Sequence, residues 1–156
     1  MKYVIDTCSL RVFNSYYPGR FPSIWEHLQE AVDEGTILSV KEVKRELSGL
    51  GVKPWLNEWA KENVAIFHPP SEAEAEFIAD MFKVTHYRRL IGQRQALSGQ
   101  PVADPYLIAA AACNEYTVVS EEEPKPNSAK IPIVCKSYGV PCINLDTFMG
   151  QMKWSY

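Results

Sequence analysis

The sequence lacks the motifs of several common classes of site. Its four cysteines include no CxxC pair, and no histidine stands at zinc-ligand spacing from them. Neither a GxGxxG nor a GxxxxGK(S/T) segment is present, which argues against a dinucleotide site and a P-loop phosphate site. The three histidines lie in unrelated sequence settings, so no Ser-His-Asp triad is indicated.

Long apolar runs and an excess of positive charge are also missing. Charged residues interrupt every apolar run before it reaches the length of a membrane helix, so no membrane association is predicted. The opening MKYVID is not a secretory signal, and scattered cysteines in a chain with an adequate core predict reduced thiols and a cytoplasmic location. With 16 basic and 19 acidic residues the net charge is −3, which at first argues against a nucleic-acid partner.

The 156 residues, of which 46% are hydrophobic, predict one domain over residues 1–156 with its own core. Short apolar segments alternate with helical patterns, which predicts an α/β fold with a mainly parallel sheet. The predicted strands are residues 2–6, 36–39, 64–67, 117–120 and 142–145.

Helix starts are indicated by local capping patterns. Three Ser-x-x-Glu capping boxes predict helix N-termini. They begin at Ser23, Ser39 and Ser71. Asp104 followed by Pro105 predicts a further helix with Asp as its N-cap, and Asp146 is predicted to cap the last helix.

Several acidic residues follow the predicted strands, where open parallel sheets bind their ligands. Asp6 ends the first strand, Asp104 opens an apolar helix, Glu46 lies on the helix after the second strand, and three glutamates follow residue 120. Carboxylates gathered in one pocket repel each other unless a cation neutralises them, and Mg²⁺ or Mn²⁺ suits an all-oxygen site. A metal held in this way can activate water for phosphodiester hydrolysis.

Each acid also has a structural interpretation. Asp6 could bond to loop amides, Asp104 could be an N-cap only, and Glu46 could be a solvated helix residue. Glu42 fits position N3 of its capping box and is interpreted as structural, while residues 121–123 could be an exposed acidic loop. Asp6 after an apolar strand and Asp104 before an apolar helix together favour a functional site, because buried acids need partners.

Four segments resemble the motifs of PIN-domain nucleases, in the family's order and across most of the chain. The segment Val4-Ile-Asp6-Thr-Cys-Ser9-Leu10 resembles their first strand, and Val43-Lys-Arg-Glu46-Leu47 resembles their "V..EL" helix. The segment from Val102 to Ala111 is similar to their "D..I.A.A" helix. Val118-Val-Ser120-Glu-Glu122 is similar to their "V-T-x-D" strand end.

The resemblance implies a three-layer α/β/α PIN-like fold with a central mainly parallel sheet. It implies a Mg²⁺- or Mn²⁺-dependent endoribonuclease, as in the VapC-like toxins of toxin–antitoxin pairs. The implied partners are an RNA substrate, an antitoxin protein and a second copy of the chain. The implied metal-binding and catalytic residues are Asp6, Glu46, Asp104 and Glu122, with Thr7 or Ser9 supporting Asp6 and Ser120 in place of the family's Thr.

The fourth acid departs from the family pattern, because it is Glu and not the commoner Asp. Spacing from Ser120 selects Glu122 over Glu121 and Glu123, and Asp146 is a further candidate. This departure and the acidity of the chain favour an alternative function, a catalytically silent PIN-like module that binds RNA or protein.

Two surface features have open interpretations. Residues 83–94 contain Lys83, Arg88, Arg89 and Arg94 and no acid, so they could follow a phosphate backbone or form an ordinary solvated helix end. The tryptophans at positions 25, 55 and 59 could form a dimer interface or belong to the core.

Overall fold

The computed structural model describes residues 1–84, 103–123 and 130–155 of the chain. Its sheet has five strands in the order β3-β2-β1-β4-β5, and all the pairings between them are parallel. The strands are β1 (Tyr3–Ile5), β2 (Ile37–Val40), β3 (Phe67–His68), β4 (Thr117–Val119) and β5 (Cys142–Ile143).

Eight α-helices lie in the described parts of the chain, and they connect and cover the strands. They are α1 (Thr7–Arg11), α2 (Pro22–Asp33), α3 (Lys41–Leu47), α4 (Pro54–Glu62), α5 (Glu72–Met81), α6 (Asp104–Asn114), α7 (Ile131–Ser137) and α8 (Leu145–Gln151). The predicted strand at 64–67 is largely wrong, since Val64–Ile66 is a 3₁₀ turn and only Phe67 enters the sheet.

The central strands are buried on both faces. Successive side chains of a strand point to opposite faces, yet all three residues of β1 and all three of β4 are buried. Helices therefore cover the sheet on either side, as expected of parallel sheets. The structure confirms the predicted three-layer α/β/α architecture.

The strand order reverses at β1, which pairs with β2 on one side and with β4 on the other. Ligands of open α/β sheets bind beyond the carboxyl ends of the strands at such a reversal point. Asp6 follows β1, and its backbone N–H donates to the Val119 carbonyl at 2.9 Å. The topology therefore places Asp6 and the residues that follow β4 at the edge of the sheet where ligands bind.

Only one of the three predicted capping boxes forms. In the box at Ser71, the Glu74 N–H donates to Ser71 Oγ at 3.2 Å and the Ser71 N–H donates to Glu74 Oε2 at 2.8 Å. The box at Ser23 is wrong, because α2 begins at Pro22 with Phe21 in the N-cap position. The box at Ser39 is also wrong, because Ser39 belongs to β2 and its hydroxyl donates to the Ile5 carbonyl at 2.8 Å.

The N-cap predictions for the two aspartates are wrong as well. Asp104 is the first residue of α6, and Ala103 occupies the N-cap position. Asn144 caps α8, where its Oδ1 accepts the Thr147 N–H at 2.8 Å, and Asp146 lies in the first turn. The carboxylate of Asp104 is therefore placed for a role other than capping.

Of the two interpretations of the tryptophans, a dimer interface or the core, the structure supports the core. Trp59 is buried, and Trp25 and Trp55 pack partly buried against the core cluster. None of the four cysteines forms a disulfide. Within the described parts of the chain, no helix has the length and apolar character to cross a membrane.

Candidate metal centre

Asp6 is a buried carboxylate with several fixed hydrogen bonds. It is 3% exposed and directly follows β1. Its Oδ1 accepts the Thr7 N–H at 2.7 Å, which caps α1. Its Oδ2 accepts bonds from Cys8 Sγ and Ser120 Oγ, each at 3.0 Å. Burial raises the pKa of Asp6 above its ordinary value in spite of these bonds.

Three carboxylates from distant parts of the chain converge beside this strand end. One oxygen each from Asp6, Asp104 and Glu122 lies within 4.8 Å of the other two. They come from the end of β1, the start of α6 and the segment after β4. Oxygen ligands bind Mg²⁺ at about 2.1 Å, which places two ligands of one ion up to about 4.2 Å apart. A small adjustment of the side chains would therefore let all three bind one ion.

The convergence makes negative charge unfavourable in this pocket. Burial raises the pKa of Asp104 to about 8, and the neighbouring carboxylates of Asp6, Glu122 and Glu46 add to the effect. Lys130 acts in the opposite direction without reversing the shift. Near neutral pH the pocket is therefore neutralised by a proton or by a cation.

Glu46 adjoins the cluster of three and is linked to it through Thr7. The Thr7 hydroxyl donates to Glu46 Oε1 at 2.8 Å, while the Thr7 N–H binds Asp6. Burial raises the pKa of Glu46 to about 7, and the charge on Asp6 contributes. Of the four acids implied by the resemblance, the structure gathers three within ligand spacing and places the fourth beside them.

The two hydroxyl groups that were predicted to support Asp6 donate to other carboxylates. The Thr7 hydroxyl binds Glu46 and not Asp6, and the Ser9 hydroxyl donates to Glu121 Oε1 at 3.1 Å. Ser120, in contrast, donates to Asp6 and accepts the Glu122 N–H at 3.2 Å. Ser120 thus connects two members of the cluster.

The three consecutive glutamates have different surroundings. Glu121 turns towards the last helix, where its Oε1 accepts the Leu145 N–H at 2.6 Å. Glu122 reaches the cluster, and its Oε2 also accepts the Ile131 N–H at the start of α7. Glu123 is exposed. The geometry therefore favours Glu122 as the fourth acid.

Cys8, which is partly buried, and Glu42, which is buried, have surroundings that the sequence did not indicate. Cys8 was interpreted as a small buried residue, yet its thiol donates to Asp6 and accepts the Glu121 N–H at 3.3 Å. Burial and the nearby Asp6 raise the pKa of Cys8 to about 12, so it stays a protonated donor. Glu42 is buried outside any capping box, and its Oε2 has no hydrogen-bond partner among the described residues.

Comparison with known proteins links the chain to one family and to two distant structures. A family model described as "Domain of unknown function (DUF4411)" matches residues 3–156. No curated protein matches the sequence. A crystal structure of FitAcB from Neisseria gonorrhoeae is 15% identical with a TM-score of 0.46, over 91% of this chain and 96% of that one.

The second similar structure is VapBC2 from Rickettsia felis, crystallised with a DNA fragment from its promoter. It is 16% identical with a TM-score of 0.48, and the match covers 94% of this chain and all of that one.

The different surroundings of the three glutamates lead to a first prediction. We expect Glu122→Gln to weaken Mn²⁺ binding by more than the roughly 10- to 100-fold that outer-shell partners contribute. The matched variant Glu123→Gln changes a neighbouring exposed glutamate and should bind Mn²⁺ like the wild type. Isothermal titration of both variants measures the difference, and equal affinities would remove Glu122 from the site.

Proposed function

We propose that this chain, which belongs to the family described as "Domain of unknown function (DUF4411)", is a divalent-metal-dependent endoribonuclease. The observation that carries the proposal is the convergence of Asp6, Asp104 and Glu122 at the reversal point of a parallel sheet. Resemblance of the four sequence segments to PIN-domain motifs selects RNA as the substrate.

The donor set fits a hard divalent cation. Its members are carboxylate oxygens, which Mg²⁺ and Mn²⁺ prefer, and burial together with the neighbouring carboxylates raises the pKa of Asp104. Asp6, Asp104 and Glu122 would hold the ion, with Glu46 binding directly or through water. When bound, such an ion lowers the pKa of a water molecule and stabilises negative charge on a phosphate.

The protein's own groups would then orient the reaction. Ser120 and Cys8 donate to the same oxygen of Asp6 and so fix its carboxylate in one orientation. Thr7 holds Glu46 at the border of the cluster. From this position Glu46 would orient an attacking water.

The alternative of a catalytically silent module was favoured by Glu at the fourth acidic position. The longer Glu122 side chain nevertheless brings one oxygen within 4.8 Å of an oxygen of Asp6 and of Asp104. This geometry supports the nuclease over the silent module.

Further features implied by the resemblance remain predictions. They are the role as a toxin, an antitoxin partner and a homodimer. The cytoplasmic location, which was predicted from the scattered cysteines, also remains a prediction. Most of the basic segment at residues 83–94, with Arg88, Arg89 and Arg94, lies outside the described residues. Lys83 is described, and its ammonium lies 2.9 Å from Asp80 on the surface.

A cleavage assay on the full chain tests the proposal. We expect protein treated with EDTA to leave a fluorescent single-stranded RNA intact, and added Mn²⁺ or Mg²⁺ to restore cleavage. DNA of the same sequence should resist. Mn²⁺ should also raise the melting temperature, because binding to the folded state stabilises it.

The two readouts separate the competing functions. Stabilisation by Mn²⁺ without RNA cleavage would overturn the nuclease and leave a metal-binding module. Neither stabilisation nor cleavage would favour the silent module, and cleavage that persists in EDTA would exclude the proposed metal mechanism.

A further inference from the structure

Three of the six large hydrophobic side chains that are exposed among the described residues lie in two loops. They are Tyr17, which is 53% exposed, Phe21, which is 44% exposed, and Leu50, which is 98% exposed. Tyr17 and Phe21 lie between α1 and α2, and Leu50 lies between α3 and α4. Exposed apolar side chains that lie together often mark a binding surface.

The two loops contact each other. Asn14 Nδ2 donates to the Gly51 carbonyl, and Asn14 Oδ1 accepts the Lys53 N–H, each at 3.0 Å. The ring centroids of Tyr17 and Trp55 are 5.0 Å apart. The exposed rings of the first loop therefore lie beside the second loop and form one aromatic surface with it.

The loop that carries both exposed rings is ordered by its own contacts. The N–H groups of Arg20 and Phe21 both donate to the Tyr17 carbonyl at 2.9 Å. The Phe21 ring packs edge-on against Tyr16 with centroids 5.3 Å apart, and the Tyr16 carbonyl accepts the Trp25 Nε1–H at 2.7 Å. A ligand that stacks on these rings meets an ordered surface, which reduces the entropy lost on binding.

The same two loops are positively charged, although the net charge of the chain is −3. Residues 7–25 and 47–57 contain no acidic residue and three basic ones, which are Arg11, Arg20 and Lys53. All three basic side chains are exposed. Exposed positive charge of this kind attracts a polyanion.

The aromatic surface adjoins the acidic cluster through α1. This helix begins directly after Asp6 and ends at Arg11, whose Nη2 donates to the Glu46 carbonyl at 3.5 Å. The five residues of α1 and the four of the 3₁₀ turn after it rise by 1.5 and 2.0 Å per residue, so Tyr17 lies within roughly 20 Å of Asp6. A short stretch of one polynucleotide strand can therefore contact both places.

We propose that Tyr17 and Phe21 stack on unpaired bases of single-stranded RNA while Arg11, Arg20 and Lys53 bind its phosphates. The inference rests on the proposed function, since it describes how that nuclease holds its substrate beside the metal centre. Aromatic rings and positive charge together bind single strands with little regard to sequence, because every base has a π-face. The positive charge of both loops favours RNA over a protein partner or a second copy of the chain.

Fluorescence anisotropy of the full chain with a labelled oligoadenylate of about 12 nucleotides tests the proposal. The titration is done in EDTA, where the proposed nuclease leaves RNA intact. We expect Tyr17→Ala to raise the dissociation constant by about 5- to 150-fold, the range for loss of one stacked base. Tyr17→Phe keeps the ring and should bind like the wild type. Equal affinities of Tyr17→Ala and the wild type would overturn the proposal.

An abasic chain of the same length separates stacking from charge. It has the phosphates but no bases, so Tyr17→Ala should bind it as tightly as the wild type does. Lys53→Gln should weaken binding of both strands, and should reduce the salt dependence of log K by about 0.7, the value for one phosphate of a single strand. If Tyr17→Ala weakened binding of the abasic chain as much as that of RNA, base stacking would be excluded.

Two further variants control for folding and for general loss of apolar surface. Phe21→Leu keeps an apolar side chain beside Tyr16 but removes the second ring, and it should also weaken RNA binding if Tyr17→Ala proves unstable. Val64→Ala shortens an exposed apolar residue in the 3₁₀ turn before β3 and should leave the affinity unchanged. Light scattering tests the other occupant. A dimer that Tyr17→Ala converts to a monomer with unchanged RNA affinity would assign the surface to pairing of two copies.

Cleavage in Mn²⁺ separates this inference from the nuclease proposal. Stacking holds the substrate and the transition state alike, so Tyr17→Ala should raise KM and leave kcat near the wild-type value. Binding in EDTA that depends on Tyr17, without any cleavage in Mn²⁺, would support the aromatic surface and overturn the nuclease. Cleavage whose KM does not depend on Tyr17 would overturn the aromatic surface alone.

Discussion

Replacing Asp6 with Asn is expected to abolish Mn²⁺ binding and to slow RNA cleavage by about a thousandfold. A metal ion contributes several kcal/mol of charge stabilisation in the transition state, and about 1.4 kcal/mol corresponds to each tenfold change in rate. Asn keeps the oxygen that accepts the Thr7 N–H, so the cap of α1 survives. The substitution replaces the second carboxylate oxygen, to which Ser120 and Cys8 donate, with an amide nitrogen, which cannot bind a cation.

Stability measurements separate this loss from misfolding. Without metal, Asp6→Asn should unfold at the same temperature as the wild type or a higher one, because it removes a buried group whose charge is unfavourable. The matched control is Asp80→Asn, which changes an exposed aspartate on α5 and should keep binding and cleavage. Wild-type Mn²⁺ affinity in Asp6→Asn would contradict the assignment of the site.

The pH dependence of stability should become weaker when metal is added. In EDTA, Asp104 has a pKa raised from 3.8 to about 8 and Glu46 one raised from 4.5 to about 7. Between the ordinary and the raised pKa of each group, the folded state binds more protons than the unfolded state. The free energy of unfolding therefore falls as pH rises from about 4 to about 8. Each pKa unit corresponds to about 1.4 kcal/mol, so the fall should reach several kcal/mol.

Saturating Mn²⁺ should reduce this fall in stability. The ion binds the deprotonated carboxylates, so its stabilising effect grows with pH and reaches about 2.7 kcal/mol at about one hundred times the dissociation constant. Urea unfolding from pH 5 to pH 8.5, with and without Mn²⁺, measures both slopes. Asp104→Asn should flatten the EDTA curve, and a wild-type protein that becomes more stable with pH in EDTA would contradict the predicted cluster.

The fold and most of the site were predictable because their signals are local. The apolar segment before Asp6 identified a buried strand, and β1 indeed leads directly into that acid. Spacing from Ser120 selected Glu122, and among the described residues this glutamate groups with Asp6 and Asp104. Residues two apart along an extended chain point to the same side, so Ser120 and Glu122 face the site while Glu121 turns towards α8.

The features that the sequence did not predict depend on contacts between residues that are far apart in the chain. An Asp before a Pro follows the same local rule whether the Asp caps a helix or faces a site, and only the positions of Asp6 and Glu122 make Asp104 part of a cluster. Ser39 fits a capping box, but the Ile5 carbonyl on the adjacent strand takes its hydroxyl. The bond from Thr7 to Glu46 joins residues 39 positions apart, which no local pattern reveals.

The bond between Ser120 and Asp6 has a consequence for when the cluster of carboxylates forms. The two residues are 114 positions apart in the chain, and the strands before them pair in the middle of the sheet. Contacts of such long range form slowly, because loop closure precedes any gain from pairing. A ribosome therefore has to release residues 117–123 before a growing chain can bring Asp6, Asp104 and Glu122 together.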